Sequence, residues 1–410
     1  MLPSRVDVCI IGAGPQALAI AMCLRSVAPE VQIRAIDPSG TWMQAWDHSF
    51  AAFDIPHLRS PGVHHPHPDA SAWNRYRQSR GLSPLGQYDF PETSAFSGFC
   101  SECAHDAALD GVVVAGVVAR VGGVERATNV ELTGGASFLA DHVVVAANPR
   151  RPRIPSVFAE ASREECSISH SSDIDLRASE VAGKTIGVVG GGLTAYHLAA
   201  GAVARGARVV LISRRALRGR QFDADPGWLG PKYLAAFAEI EDPRERRAAA
   251  LAARDGGSMT PAALTHIREL AHERSVAVFE GGCVVGVEPR GSRHVLGVER
   301  EGELTSVHVD DVWLATGSEP TIEAAGFLRQ LREDYDAPVQ EGLPILDHHL
   351  RWPGTGIYVA GALAMLEFGP AAGNLWGARR AGAQIACAVL GAERWGAIEL
   401  RSTPGWIHVA

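Results

Sequence analysis

The sequence predicts an α/β fold with two Rossmann-like dinucleotide-binding units, the second inserted into the first. Three observations predict it. An apolar run, Val6–Ile11, leads into a helix through glycines in G-x-G-x-x-A spacing at Gly12, Gly14 and Ala17. The same arrangement returns at Thr185–Val189 with Gly190, Gly192 and Ala195. The apolar segment Asp141–Ala147 is echoed at Asp311–Gly317, and a further strand-like run, Gly356–Ala362, follows, so the first unit resumes after the second.

In the first turn, Gly12 permits the tight bend, Gly14 lets a pyrophosphate approach the backbone, and small Ala17 lets the helix pack close to the strand. Pro15 and Gln16 open that helix, whose free N–H groups attract an anion. A second strand, Val31–Ile36, ends in Asp37, 25 positions after Gly12, where an acid accepts hydrogen bonds from a ribose diol. The segment 38–46, with Pro38, Thr41, Trp42 and Trp46, is a loop able to reach a reactive ring. The stretch 53–68 is rich in proline and histidine and excludes a long helix. Its four histidines match no standard metal spacing, and the stretch is expected to line or cover a pocket.

Residues 91–108 read as a helix carrying Cys100 and Cys103 in C-x-x-C spacing, either a redox pair or a packing face. Val112–Val121 and Val130–Leu139 read as strands of a small antiparallel layer, and Asp141–Ala147 as a buried strand. Arg150–Pro155 is a linker rich in arginine and proline, where the chain crosses to the second unit.

In the second unit, Leu193, Thr194 and Ala195 open the helix after Gly190 and Gly192. The register position of the acid is different here. At 24 positions after Gly190 stands Arg214, followed by Arg215 and then Arg218. An acid repels a 2′-phosphate, whereas arginine clasps it with paired hydrogen bonds. The first site should therefore hold a ribose diol and the second a 2′-phosphate, as in NADPH. Residues 221–234, with Trp228 and Lys232, form a loop. Residues 243–253 are a charged helix with an exposed face. Thr260 caps a helix that has Pro261 in its first position. Four strands between 276 and 309 complete the unit. A long helix from about 371 to 390 ends the pattern.

The chain has 410 residues with a formal net charge of −8, which argues against nucleic acid as the main partner. It has no apolar run long enough to span a membrane. The first strand begins almost at Met1, leaving no room for a signal peptide, and seven cysteines follow no regular pattern. A cytoplasmic location is expected.

Taken together, Gly12, Gly14, Ala17 and Asp37, then Gly190, Gly192 and Ala195, then Ala315 and Gly317, then Gly361, resemble the two-dinucleotide-binding flavoproteins of glutathione-reductase-like fold. The resemblance implies FAD at the first site and NADPH in an inserted domain. The expected domains are 1–155 and 310–410 for FAD and 156–309 for NADPH, with a substrate loop at 215–265. Gly40-Thr41-Trp42, His170-Ser171 and the 91–104 helix are similar to features of single-component (class B) flavin monooxygenases. The layout is similar to that of the lysine and ornithine N-hydroxylases.

Such a protein uses NADPH and O₂ to form a flavin C4a-(hydro)peroxide, which oxygenates a soft heteroatom. N-hydroxylation of an amino acid or primary amine leads, with S-oxygenation or Baeyer–Villiger chemistry behind. A flavin or disulfide reductase using Cys100 and Cys103 is the alternative. Gln44 and Asn374 would hydrogen bond to the flavin region, and His57, Arg59 or Lys232 would anchor a substrate carboxylate. Trp42, Met43, Trp46, Trp228 and Leu375 would wall a dry pocket, with Gly373 at the final helix start. Homo-oligomers are common in the group. Two positions depart from its pattern: Asn148 stands in place of glycine, and Ala362 in place of the usual aspartate.

Replacing Arg214 by Asp should raise KM for NADPH by about tenfold or more while leaving NADH nearly unchanged. Steady-state kinetics with both cofactors checks this.

Overall fold

The computed structural model describes residues 3–83, 86, 90–124, 127–159 and 167–391. It is organised around two sheets: the first is mixed, parallel at its centre with an antiparallel flank of Val118–Val124 and Ala127–Leu132, and the second is all parallel. In the first, Arg5–Ile11 lies between Ile33–Asp37 and Ser137–Val145, parallel to both. Val113–Ala115 extends the sheet on one side, and Ile357–Val359 with Arg351–Trp352 on the other. The carboxyl-terminal parts of the central strands, Val8–Ile11 and Val143–Val145, are buried and apolar, as parallel strands covered on both faces must be.

The second sheet is all parallel, in the order Val276–Glu280, Arg208–Ser213, Thr185–Val189, Asp311–Leu314, Ile168–His170. Beside it, Cys283–Arg290, Arg293–Arg300 and Glu303–Val309 form an antiparallel layer.

Several boundaries differ from the sequence reading. Val112–Val121 is not one antiparallel strand. Val113–Ala115 joins the parallel sheet, and a new strand, Val118–Val124, turns away after Gly116. Val130–Leu139 is also interrupted, because Gly134 and Gly135 both adopt positive φ and reverse the chain between Ala127–Leu132 and Ser137–Val145. Asp311–Leu314 belongs to the second sheet, so the return to the first unit comes only after it.

That return is paired with the outward crossing. Ser318–Pro320 runs antiparallel to Arg150–Pro152, and the two chain crossings form one ribbon. The loop expected at 38–46 is cut short by a helix, Gln44–Ala52, that starts from Met43 in the left-handed region. The final strand is only Ile357–Val359, ended by Gly361 at φ 77°. The last helix begins at Leu375, because Gly369–Ala371 forms a separate turn of 3₁₀ helix. The charged helix, Pro243–Arg254, exposes Arg244, Glu245, Ala248 and Ala252, while its other side is docked: Arg246 bonds Glu367 and the Leu366 carbonyl, and Arg254 bonds the Pro370 carbonyl.

The core follows from these elements. Trp352 is fully buried and donates its indole N–H to the Pro338 carbonyl at 2.9 Å. The helix Pro15–Val27 packs along Leu375–Leu390, which places the last helix's N-terminus beside the first glycine turn. The contact is close because Gly382 has no side chain: a Cβ there would lie 2.9 Å from the Ala19 carbonyl oxygen. Replacing Gly382 by Val should push the helices apart and cost about 2–3 kcal/mol, read as a lower denaturant midpoint with an unchanged slope.

Candidate active site

Both glycine turns lie at the carboxyl ends of their parallel strands, where open α/β sheets hold ligands. Gly12 takes φ 109°, its N–H donates to the Ile36 carbonyl at 2.8 Å, and a Cβ there would lie 3.0 Å from the Ala146 carbonyl oxygen. Gly14 differs, with extended backbone and nothing within 4 Å of a Cβ placed on it. It faces a cavity of about 1060 Å³ that runs from Asp37 and Pro38 to Asn374 and Leu375.

At one end of this cavity, Asp37 Oδ2 accepts from the Ala13 N–H at 3.2 Å, and Oδ1 accepts from the Ser39 N–H and hydroxyl at 2.9 and 2.6 Å. These bonds fix a carboxylate at the strand end, with lone pairs left over for a diol. Pro15 and Gln16 line the next stretch. Gln16 Nε2 donates to the Ala372 and Asn374 carbonyls at 3.3 and 3.2 Å, while its buried Oε1 has no partner among the described residues. Gly361, Ala362 and Gly373 leave this wall low. Open space over Gly14, a fixed acid and an unsatisfied amide oxygen fit an extended dinucleotide.

The other end is bounded by aromatic and apolar groups. Trp46 stacks on Phe50 with ring centres 4.1 Å apart, and Leu58, Phe222, Pro226, Leu375 and Trp376 join them. The N-terminus of Leu375–Leu390 opens here and brings partial positive charge. Asn374 makes no cap bond to its own helix; its Oδ1 accepts from Arg254 at 3.4 Å. His64 is on this wall, and burial, helped by the Arg379 guanidinium, pushes its imidazole down to about 4. It is a neutral group at physiological pH.

The structure redistributes the proposed substrate anchors. His57 is exposed and off the cavity wall, although the nearby His64 reaches it. Gln44 is exposed at the start of its helix. Lys232 is exposed, with its ammonium 4.9 Å from the Tyr233 ring centre. Trp228 packs on Gly369 and against Tyr233 and Phe237, leaving its neighbours Pro226 and Leu229 on the wall.

Arg59 does line the cavity, but its guanidinium is engaged. It donates to the Ser258 carbonyl and hydroxyl at 3.1 and 2.8 Å, to the Arg220 carbonyl at 2.9 Å and to the Gln221 carbonyl at 3.3 Å. Trp42 turns inward and bonds the Leu109 carbonyl at 3.1 Å, and Thr41 is exposed in the Ser39 turn. Asp223, Phe222 and the returning segment 324–327 are wall residues that carry no motif in the sequence.

At the second turn, Gly190 donates to the Ile212 carbonyl at 2.9 Å, and a Cβ there would lie 2.4 Å from the Ala315 carbonyl oxygen. Ala315 and Gly317 therefore belong to this turn and not to the first cavity. The Gly317 carbonyl accepts from His170 Nε2 at 3.0 Å. Leu193 and Thr194 start the following helix, and Ala195 is on its buried face. Arg214 is exposed and has no ion-pair partner among the described residues. Arg215, Arg218 and Arg220 all pair with Asp255.

A sequence profile described as pyridine nucleotide-disulphide oxidoreductase matches residues 6–227. The chain belongs to the pyridine nucleotide-disulphide oxidoreductase family. It is an oxidoreductase of the flavin and pyridine-nucleotide type. No curated protein matches its sequence. Among solved structures it is similar to a cadaverine monooxygenase of desferrioxamine biosynthesis from Erwinia amylovora, at 16% identity over 96% of both chains with TM-score 0.76. It is also similar to the ornithine hydroxylase of Pseudomonas aeruginosa, at 16% identity over 94% of this chain and 98% of that one, TM-score 0.75. A bacillithiol disulfide reductase from Staphylococcus aureus matches at 14% identity over 95% and 99%, TM-score 0.61. At these identities the likeness is one of fold.

The family's name invites a dithiol, and Cys100 and Cys103 are the sole C-x-x-C pair in the sequence. Both are buried in the helix Thr93–Asp106 and neither lines the cavity. Burial pushes the Cys103 thiol up to about 12 and that of Cys100 well above its ordinary range, so neither is a ready nucleophile. Among the described residues no helix is long and apolar enough to cross a membrane.

Replacing Gly14 by Val puts a side chain into open cavity at a backbone conformation that valine adopts freely. Unfolding temperature of the flavin-free protein should stay within about 2 °C of the unaltered chain, while bound flavin absorbance is lost.

Proposed function

We propose that this protein is an FAD- and NADPH-dependent monooxygenase that N-hydroxylates an amine or amino acid. The observation that carries this choice is the pairing of an aromatic-ended cavity with two cysteines buried away from it. A disulfide reductase needs its thiols beside the cofactor, and here the cavity end presents Trp46, Phe50, Leu58 and Leu375 instead. Resemblance to amine and amino-acid hydroxylases in fold supports the same reading.

The first cavity would hold FAD, with Asp37 on the ribose, Gly12 and Gly14 at the pyrophosphate, and Gly361, Gly373 and Asn374 toward the ring. Arg214 and Arg215 would take the 2′-phosphate of NADPH, with Gly190 and Gly192 at its pyrophosphate. When bound, the two cofactors supply the hydride and the activation of O₂. The chain's own work is exclusion and placement. The apolar wall keeps water from the reacting atoms. Neutral His64 adds a hydrogen-bonding group without a charge, and Asn374, steadied by Arg254, sets a polar point at the helix N-terminus. Asp225 on the wall favours approach of a cationic amine over an anion, while Asp223 is paired with Arg254 at 3.4 Å. Inside the dry end, burial lowers an amine's pKa, which favours the uncharged, reactive form.

The test is to incubate the FAD-loaded protein with NADPH, ¹⁸O₂ and a panel of diamines and basic amino acids, and to analyse products by mass. The expected result is one labelled oxygen on nitrogen, with NADPH consumption accelerated by the substrate and unchanged when Cys100 and Cys103 are both Ser. Disulfide-dependent NADPH oxidation that disappears in that double variant would overturn the reading.

A further inference from the structure

The two glycine turns share one spacing but not one exposure. Over Gly14 the space a Cβ would fill is open, and over Gly192 it is taken by backbone. A Cβ on Gly192 would lie 3.3 Å from Gly257 Cα, and a Cβ on Gly257 would lie 2.9 Å from Gly192 Cα. Only two glycines facing each other permit this approach. Gly257 thus stands where, in this motif, the pyrophosphate meets the backbone.

The covering segment is short and held at both ends. It leaves the helix Pro243–Arg254 through Asp255 in the left-handed region, φ 46°, and Gly256 at φ 76°. It ends at Met259, whose N–H donates to the Arg218 carbonyl at 2.9 Å and whose carbonyl accepts from the Arg220 N–H at 2.8 Å. Between these points two groups fasten it. The Asp255 carboxylate pairs with Arg218, with Arg220 at 3.1 Å and with Arg215 at 3.5 Å. Ser258 receives two bonds from Arg59, which comes from the first unit. Asp255 therefore neutralises arginines beside the position where a 2′-phosphate is expected.

Resting on the NADPH reading of the second site, we propose that Asp255–Ser258 is a strap that closes this site, with Asp255 taking the place of the cofactor's anion. Dinucleotide binding displaces the strap, and the 2′-phosphate compensates the arginines for the carboxylate they lose. NAD⁺ must break the same pairs without that compensation. Removing the carboxylate lifts one common cost from both dinucleotides, so both should bind more tightly by a similar factor.

The experiment is calorimetric titration of FAD-loaded protein with NADP⁺ and with NAD⁺, unaltered and as Asp255→Asn. Asparagine tolerates left-handed backbone, so the turn is preserved. Kd for NADP⁺ should fall about three- to tenfold, as expected for losing a competing surface ion-pair cluster, with the NADP⁺-to-NAD⁺ ratio retained. In the unaltered protein, hydrogen exchange at residues 256–258 should rise when NADP⁺ binds. Unchanged or weaker NADP⁺ binding in the variant, or unchanged exchange in the segment, overturns the strap and leaves the cofactor site standing. Absence of NADP⁺ binding to both proteins overturns the cofactor reading and the strap together.

Discussion

The architecture depends on one steric constraint, repeated: a glycine at the end of a parallel strand pressed against the carbonyl at the end of the neighbouring strand. Gly12 meets Ala146 in this way, and Gly190 meets Ala315. In both units that neighbour follows the strand paired directly with the one leading into the turn. The close approach sets the angle at which each helix leaves its sheet, so that the helix N-terminus points across the strand ends. Where the anion sits, where the carboxylate or arginines fall at the next strand end, and where the cavity opens all follow from this contact. A Cβ at either position would separate the strands before any ligand is considered.

Much of this was legible in the sequence because it is local. Spacing within a strand–turn–helix unit is fixed by geometry over a few residues, and the acid-or-arginine position lies one helix and one strand further on. What was not legible is long-range. The repeat linking Asp141–Ala147 to Asp311–Gly317 is real, since both are the strands that lean on the glycine turns. Periodicity cannot say which sheet a strand joins, however, and Asp311–Leu314 joins the second. The helix Gln44–Ala52 was missed because it starts from left-handed Met43, a conformation no local pattern announces. In the irregular stretch 53–68 there is no period to choose a facing side, so nothing local separates His57, which is exposed, from His64, which lines the cavity.

Arg59 shows how a residue of suitable chemistry can be committed elsewhere. Its guanidinium reaches four acceptors, three of them backbone carbonyls of the second unit. Burial lowers its pKa, partly offset by Asp223, and those acceptors replace the water it has lost. The cavity wall at this point is a seam between the units, so the shape of the pocket depends on how they are docked. Phe222 and Asp223 fall within the substrate loop expected at 215–265, although neither was singled out, whereas the segment 324–327 lies on the returning chain, outside any motif.

The ribbon of Arg150–Pro152 and Ser318–Pro320 has a different kind of consequence. Pro152 and Ser318 are cross-strand partners, so the inserted unit enters and leaves the first unit at one point, with its two ends about 5 Å apart. In chain terms it is a module on a two-wire plug. The gap left by excising it is one that a two-residue hairpin turn closes, and another module with similarly adjacent ends could be grafted at the same socket. The covalent link is narrow, but the docking is not: Phe237 and Ala250 of the inserted unit are buried in the first unit's core, so any module at that socket must also supply this apolar contact.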